Sequence, residues 1–159
     1  MATNEYAFLT NWTVQSTTET VYNILIRGKD FVRWWPEVYL KVEETNPGGE
    51  FGIGKAANLH TKGWLPYTLK WTMEIDQVSY PVCFSLKADG DFVGRGTWAF
   101  TQRNQSVDIE FDWRLKAEKP LLKYLSFAFK PMFAANHQWA MARGQEGLNR
   151  EIQRLSKAE

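Results

Sequence analysis

The stretch PMFAANHQWAMARGQEGL, residues 131–148, decides how this chain folds. Ala134, His137, Met141, Gly144 and Leu148 follow one another at spacings of three and four, and Ile152 and Leu155 extend the series. That spacing draws one stripe along a helix. Pro131 suits the first turn, where a missing N–H does no harm. The pattern predicts a helix from Pro131 to Ser156, about 39 Å long at 1.5 Å per residue. Lys119 to Lys130, just before it, reads as an apolar, aromatic connector.

Upstream the period changes to two. Tyr67, Leu69, Trp71, Met73 and Ile75 alternate with Thr68, Lys70, Thr72, Glu74 and Asp76. Val107, Ile109, Phe111, Trp113 and Leu115 alternate in the same way with Asp108, Glu110, Asp112, Arg114 and Lys116. Both are strands with one buried face. Tyr6 to Ser16 is a third, with Tyr6, Phe8, Trp12 and Val14 on one face. Further strands are expected at Tyr39–Thr45, Ile53–Lys62, Val82–Asp89 and Phe92–Thr101, with turns at Asn46–Gly49, Asp89–Gly90 and Arg103–Gln105. Ser16-Thr-Thr-Glu19 has the capping-box form and should start a short helix that ends near Gly28. A second short helix should run from Asp30 to Trp35, stopped by Pro36.

These elements give an α+β fold. Seven antiparallel strands at about 4.8 Å spacing make a sheet about 34 Å wide. A helix is only about 10 Å across. One long helix covers such a sheet only if the sheet curls around it, with the two short helices closing one end. The wedge between sheet and helix is filled by large side chains or by a ligand.

Composition bounds the function. At 159 residues the chain is expected to form a single domain over residues 1–159. A net charge of +1 gives no electrostatic case for nucleic acid or an anionic membrane. Eight Trp, ten Phe and six Tyr are unusual; they suit either a well-filled core or a flat, apolar ligand. The single Cys83 forbids an internal disulfide and favours a reducing compartment. The start, MATNEYAFLTNW, has no basic region followed by an apolar run, so a cytoplasmic location is expected. No transmembrane segment is expected, because no apolar run approaches about 20 residues. Two histidines without nearby inward carboxylates make no case for a metal, and no cofactor is expected. The glycines of Gly48–Gly54 lead into a strand, not a helix N-terminus, which argues against a phosphate cradle.

With this layout the chain resembles the helix-grip superfamily of START and birch-pollen-allergen-like proteins. Within it, the closest likeness is to bacterial SRPBCC proteins labelled polyketide cyclase/dehydrase. The resemblance spans about Tyr6 to Leu155. It rests on element order, on Gly48-Gly-Glu-Phe-Gly-Ile-Gly54, on Gly63-Trp-Leu-Pro-Tyr67, on Asp89-Gly-Asp-Phe-Val-Gly-Arg-Gly-Thr-Trp98 and on Asn136-His-Gln-Trp-Ala-Met-Ala-Arg-Gly144. It implies an apolar cavity under the C-terminal helix and no single activity, because one fold hosts carriers and enzymes alike.

Two functions follow as expectations. One is binding of a small hydrophobic or aromatic molecule, such as a lipid, quinone or polyketide. The other is a cyclase or dehydratase acting on a polyketide-like chain. Inward parity nominates Trp12, Tyr67, Trp71, Trp98, Phe111 and Trp113 as contacts. Met141 and His137 join them from the helix stripe. His137 is the proton-transfer candidate of the enzyme reading, or a polar residue tied off by the backbone or Asn136. His60 shares parity with Asn58 and is a further candidate if that face is inward. Gly94 and Gly96 have inward parity, which marks either space for a ligand or strand curvature. Trp35, in Trp34-Trp35-Pro36, is a rim residue or a plug of the barrel end. Phe133, with Phe127, Phe129 and Met132, lines an approach to the helix and gates the cavity or docks on a membrane, a protein partner or a second copy. Asp108, Glu110, Asp112, Arg114 and Arg95 read as outward, and Arg143 as a surface ion-pair partner.

Overall fold

The computed structural model describes residues 4–158, without the side chains of residues 125–127 and 129. The gating role considered for Phe127 and Phe129 therefore lies outside the described residues. Seven strands form one antiparallel sheet: β1 (Glu5–Gln15), β2 (Tyr39–Asn46), β3 (Ala56–Lys62), β4 (Thr68–Ser79), β5 (Cys83–Gly90), β6 (Phe92–Arg103) and β7 (Ser106–Ala117). Their order is β1-β7-β6-β5-β4-β3-β2. Strands β2 to β7 are a meander, and β1 pairs along its whole length with β7, from Glu5 opposite Lys116 to Gln15 opposite Ser106. The helices are α1 (Thr18–Leu25), α2 (Phe31–Trp34) and α3 (Pro120–Ala158).

Alternation sets the register. Leu69, Trp71, Met73 and Ile75 of β4 and Val107, Ile109, Phe111, Trp113 and Leu115 of β7 are all buried. Their polar alternates face solvent, where Arg114 pairs with Asp112 and Arg103 with Asp108. A slip of one residue would send every one of these rings to water. Arg95 likewise lies outside, paired with Asp76 at 2.7 Å.

Several boundaries differ from expectation. The helix cap is Thr17, not Ser16: the Thr17 hydroxyl accepts the Thr20 N–H, while Ser16 N–H donates to Gln105 and belongs to the strand end. A 3-10 turn, Gly28–Asp30, precedes α2, which begins at Phe31. Strand β3 begins at Ala56 rather than Ile53. Gly48 and Gly52 adopt φ of +76° and +91°, and the turn they build folds Gly52 against Ile26. Asp89 and Gly90 do not form the β5–β6 turn; they pair with Thr72 and Trp71 of β4, and Asp91 makes the bend. The largest correction is α3. It starts at Pro120, with 39 residues, so the expected connector is helical and Pro131 lies inside the helix. Proline fits the first turn of a helix, and Pro120 takes that place. Pro131 forgoes one intrahelical bond.

Helix α3 crosses the concave face of the sheet. Met141 and Leu148 are buried there, and Glu151 is 5% exposed. Glu151 accepts two hydrogen bonds from Arg33, both 2.6 Å, and two from Arg154, at 2.8 and 3.0 Å. This cluster ties α2 to α3. Trp34 and Trp35 stack 5.6 Å apart at the same joint. Gly147 admits the Trp34 carbonyl and Gly144 admits the Trp35 ring; a Cβ at either position would collide.

Candidate ligand cavity

Between the curled sheet, α2 and α3 lies a cavity of about 140 Å³. Its deep wall is a run of rings from three strands. Trp98 stacks on Phe111 at 4.2 Å, Phe111 on Trp113 at 5.7 Å, and Trp113 leans on Trp71 at 5.7 Å. Trp71 is fixed by donating its Nε1–H to the Thr61 hydroxyl at 3.1 Å. Trp35 closes the α2 side, its Nε1–H donated to the Ala140 carbonyl at 3.0 Å. Tyr67, Phe133, His137 and Met141 complete the lining among the residues expected from sequence.

Four expected contacts sit elsewhere. Trp12 is 4% exposed and packed between Trp35 and Trp98, behind the lining. Gly96 does leave space, but the Phe111 and Trp113 rings fill it: a Cβ there would stand 2.8 to 2.9 Å from them. Gly94 lets β6 approach the Arg114 backbone of β7. Neither glycine opens on the cavity. His60 faces the outer side of the sheet, because Ala57, Leu59 and Thr61 take the buried positions of β3. It pairs across the strands with Lys41 and Lys70 in an outer groove.

His137 is the distinctive polar group. Its ring stacks on Phe8 at 4.2 Å and 15°. Its Nε2 is buried and meets no hydrogen-bond partner in the protein. Asn136 does not serve it. The Asn136 Oδ1 accepts instead from Trp64 N–H at 2.8 Å and Leu65 N–H at 3.3 Å, and clamps the β3–β4 loop to α3. Gly63 is needed there, since a Cβ would strike the Asn136 amide. The two sequence motifs 63–67 and 136–144 thus meet at the cavity. Burial pushes the His137 imidazole down from 6.5 to about 4, so the ring is neutral at pH 7.

Other polar groups gather at the same end. The Phe133 ring lies 6.5 Å from that of Tyr6 and 6.3 Å from that of Tyr67. Burial, and then the neighbouring Tyr6, raises the Tyr67 phenol to about 12. Burial also raises Tyr39, which lines the α2 side. These phenols stay protonated at neutral pH. Among the described lining residues only Lys62 carries a full charge, and it is exposed. Phe8, Tyr6 and Tyr39 are contacts the sequence reading did not nominate. Phe8 and Tyr6 share parity with Trp12, which is the signal that finds them.

Among the described residues no three His, Cys, Asp or Glu side chains gather as a metal site requires. No helix among them is long and apolar enough to cross a membrane.

No protein-family profile matches the chain, and no curated protein does. Solved structures do. A protein of Thermus thermophilus superposes with a TM-score of 0.80 at 14% identity, over 95% of this chain and 99% of that one. The Zhui aromatase/cyclase from a Streptomyces species gives 0.70 at 14% identity, over 94% of each chain. A START superfamily protein of Mycobacterium smegmatis gives 0.70 at 12% identity, over 94% of this chain and 98% of that one. With its seven-stranded curled sheet closed on a long C-terminal helix, the chain has the helix-grip fold shared by START-superfamily proteins and aromatase/cyclases.

Proposed function

We propose that this protein binds a small hydrophobic or aromatic molecule in the cavity under α3. The observation that carries the reading is the cavity itself, ringed by Trp35, Trp71, Trp98, Phe111 and Trp113 and lined by His137, whose buried Nε2 has no protein partner. A well-packed core leaves few voids larger than water and few buried polar atoms unpaired. Of the five such unpaired atoms among the described residues, His137 Nε2 is the one that belongs to a residue lining this cavity. The test is saturable, one-to-one binding of a fluorescent apolar probe. Leu69→Trp, which adds bulk to a lining position, should abolish that binding while circular dichroism reports an intact fold. Equal probe binding by the variant would count against the cavity.

The unpartnered His137 nitrogen also supports an enzyme reading, in which that ring transfers a proton to or from a polyketide-like substrate. Its depressed pKa weighs against that role, since a base works best with a pKa near the working pH. His137→Ala would abolish turnover with binding retained if the enzyme reading holds. A carrier would lose only affinity. Exposed Leu121, Tyr124 and Met132 on α3 suit a protein partner or a second copy, and the lone Cys83 suits the cytoplasm; both belong to the proposal.

A further inference from the structure

Three properties of the cavity narrow its occupant, given the reading of the cavity as a ligand site. The first is size. Drug-sized ligands occupy about 300–1,000 Å³, whereas an apolar protein cavity of about 150 Å³ accepts benzene. At about 140 Å³ this cavity is of the second kind. A single ring matches that volume, and an extended acyl chain exceeds it. The second is the chemistry of the lining. Trp98, Phe111 and Trp113 form a stack of rings, with centroids 4.2 and 5.7 Å apart. An aromatic guest gains offset or edge-to-face contact with such rings that a branched aliphatic one does not.

The third is polarity. His137 Nε2 is buried without a protein partner, where α3 meets Phe8 of β1, the cross-strand neighbour of Trp113. A buried unpaired polar atom destabilises its surroundings, and a ligand group that pairs with it recovers that loss. Charge is disfavoured by the same lining. Lys62 is exposed, and no other lining residue among those described bears a full charge to compensate an ion within. We infer that the cavity is built for a neutral, single-ring aromatic molecule with one hydrogen-bonding substituent directed at His137.

The test is calorimetric titration of the full chain with phenol, toluene, benzoate, 2-naphthol and decanoate, repeated on His137→Phe and His137→Gln. Phenol should bind about tenfold more tightly than toluene, its near isostere. His137→Phe should bring the two together while still binding toluene, which shows that the cavity survives. His137→Gln, which keeps a polar group, should restore part of the preference. Toluene equal to phenol in the wild type would overturn the hydrogen bond to His137. Tighter benzoate would overturn neutrality, and tighter 2-naphthol or decanoate would overturn the single-ring limit. If the apolar fluorescent probe binds while every single-ring compound fails, the inference falls and the ligand site stands. If the probe fails as well, both fall.

Discussion

A neutral imidazole packed against Phe8 makes stability depend on pH through one residue. In the folded chain His137 titrates near 4, against its ordinary 6.5. Between those values the unfolded chain takes up a proton that the native state refuses, so stability falls as pH falls. At pH 5 the loss reaches about 2 kcal/mol relative to pH 7.5. His137→Phe should remove it. Urea unfolding of both proteins at pH 7.5 and 5 measures this directly, and parallel losses would refute it. Asn136 has a different role one position earlier. Asn136→Ala strands two loop N–H groups, Trp64 and Leu65, and should destabilise the fold by about 1–2 kcal/mol. Faster amide exchange confined to residues 63–67 would locate the effect. The stripe that places His137 inward is legible in sequence, because the helical period is local. Its partner Phe8 is not, because pairing β1 with α3 is a matter of topology.

At the scale of elements, the joint between α2 and α3 should be unusually intolerant of substitution. Alanine favours a helix over glycine by about 1 kcal/mol. At Gly144 and Gly147 the added Cβ collides with Trp35 and with the Trp34 carbonyl, and overpacking costs about 1–3 kcal/mol. Gly147→Ala should therefore lower the melting temperature, and a higher one would show that the joint yields. The Glu151 cluster works at the same place with its own pH window. Hydrogen bonds from Arg33, then Arg154, hold the Glu151 carboxyl down to about 2, below its usual 4.5. Its contribution is complete above pH 4.5 and lost as pH falls toward 2, a lower window than that of His137. Glu151→Gln should destabilise the protein at pH 7 and flatten the acid limb of its stability curve. The alternation of β4 and β7 can be read straight from the chain, since one face is apolar throughout. The face of His60 can be read too: Leu59 is the one large apolar residue of β3, and Asn58, His60 and Lys62 are its polar alternates. The start of α3 is hidden. Pro120 and Pro131 both suit a first turn, and only packing on the sheet shows that the helix runs through the second.

The whole molecule is a sheet wrapped on a helix, and its geometry leaves a wedge. What fills the wedge determines function. Parity correctly turns Gly94 and Gly96 inward, but which neighbours take up that space depends on β7, whose rings and backbone do so. What remains open is the smaller cavity beside Trp71, Trp98 and His137. The central claim is that this cavity holds a small molecule. Native mass spectrometry of the protein purified from the organism that makes it, followed by solvent extraction, tests this most directly. The account predicts a one-to-one adduct of low mass that His137→Phe weakens. A bare protein, together with no saturable binding of an apolar probe, would contradict it and make the aromatic lining part of an ordinary core.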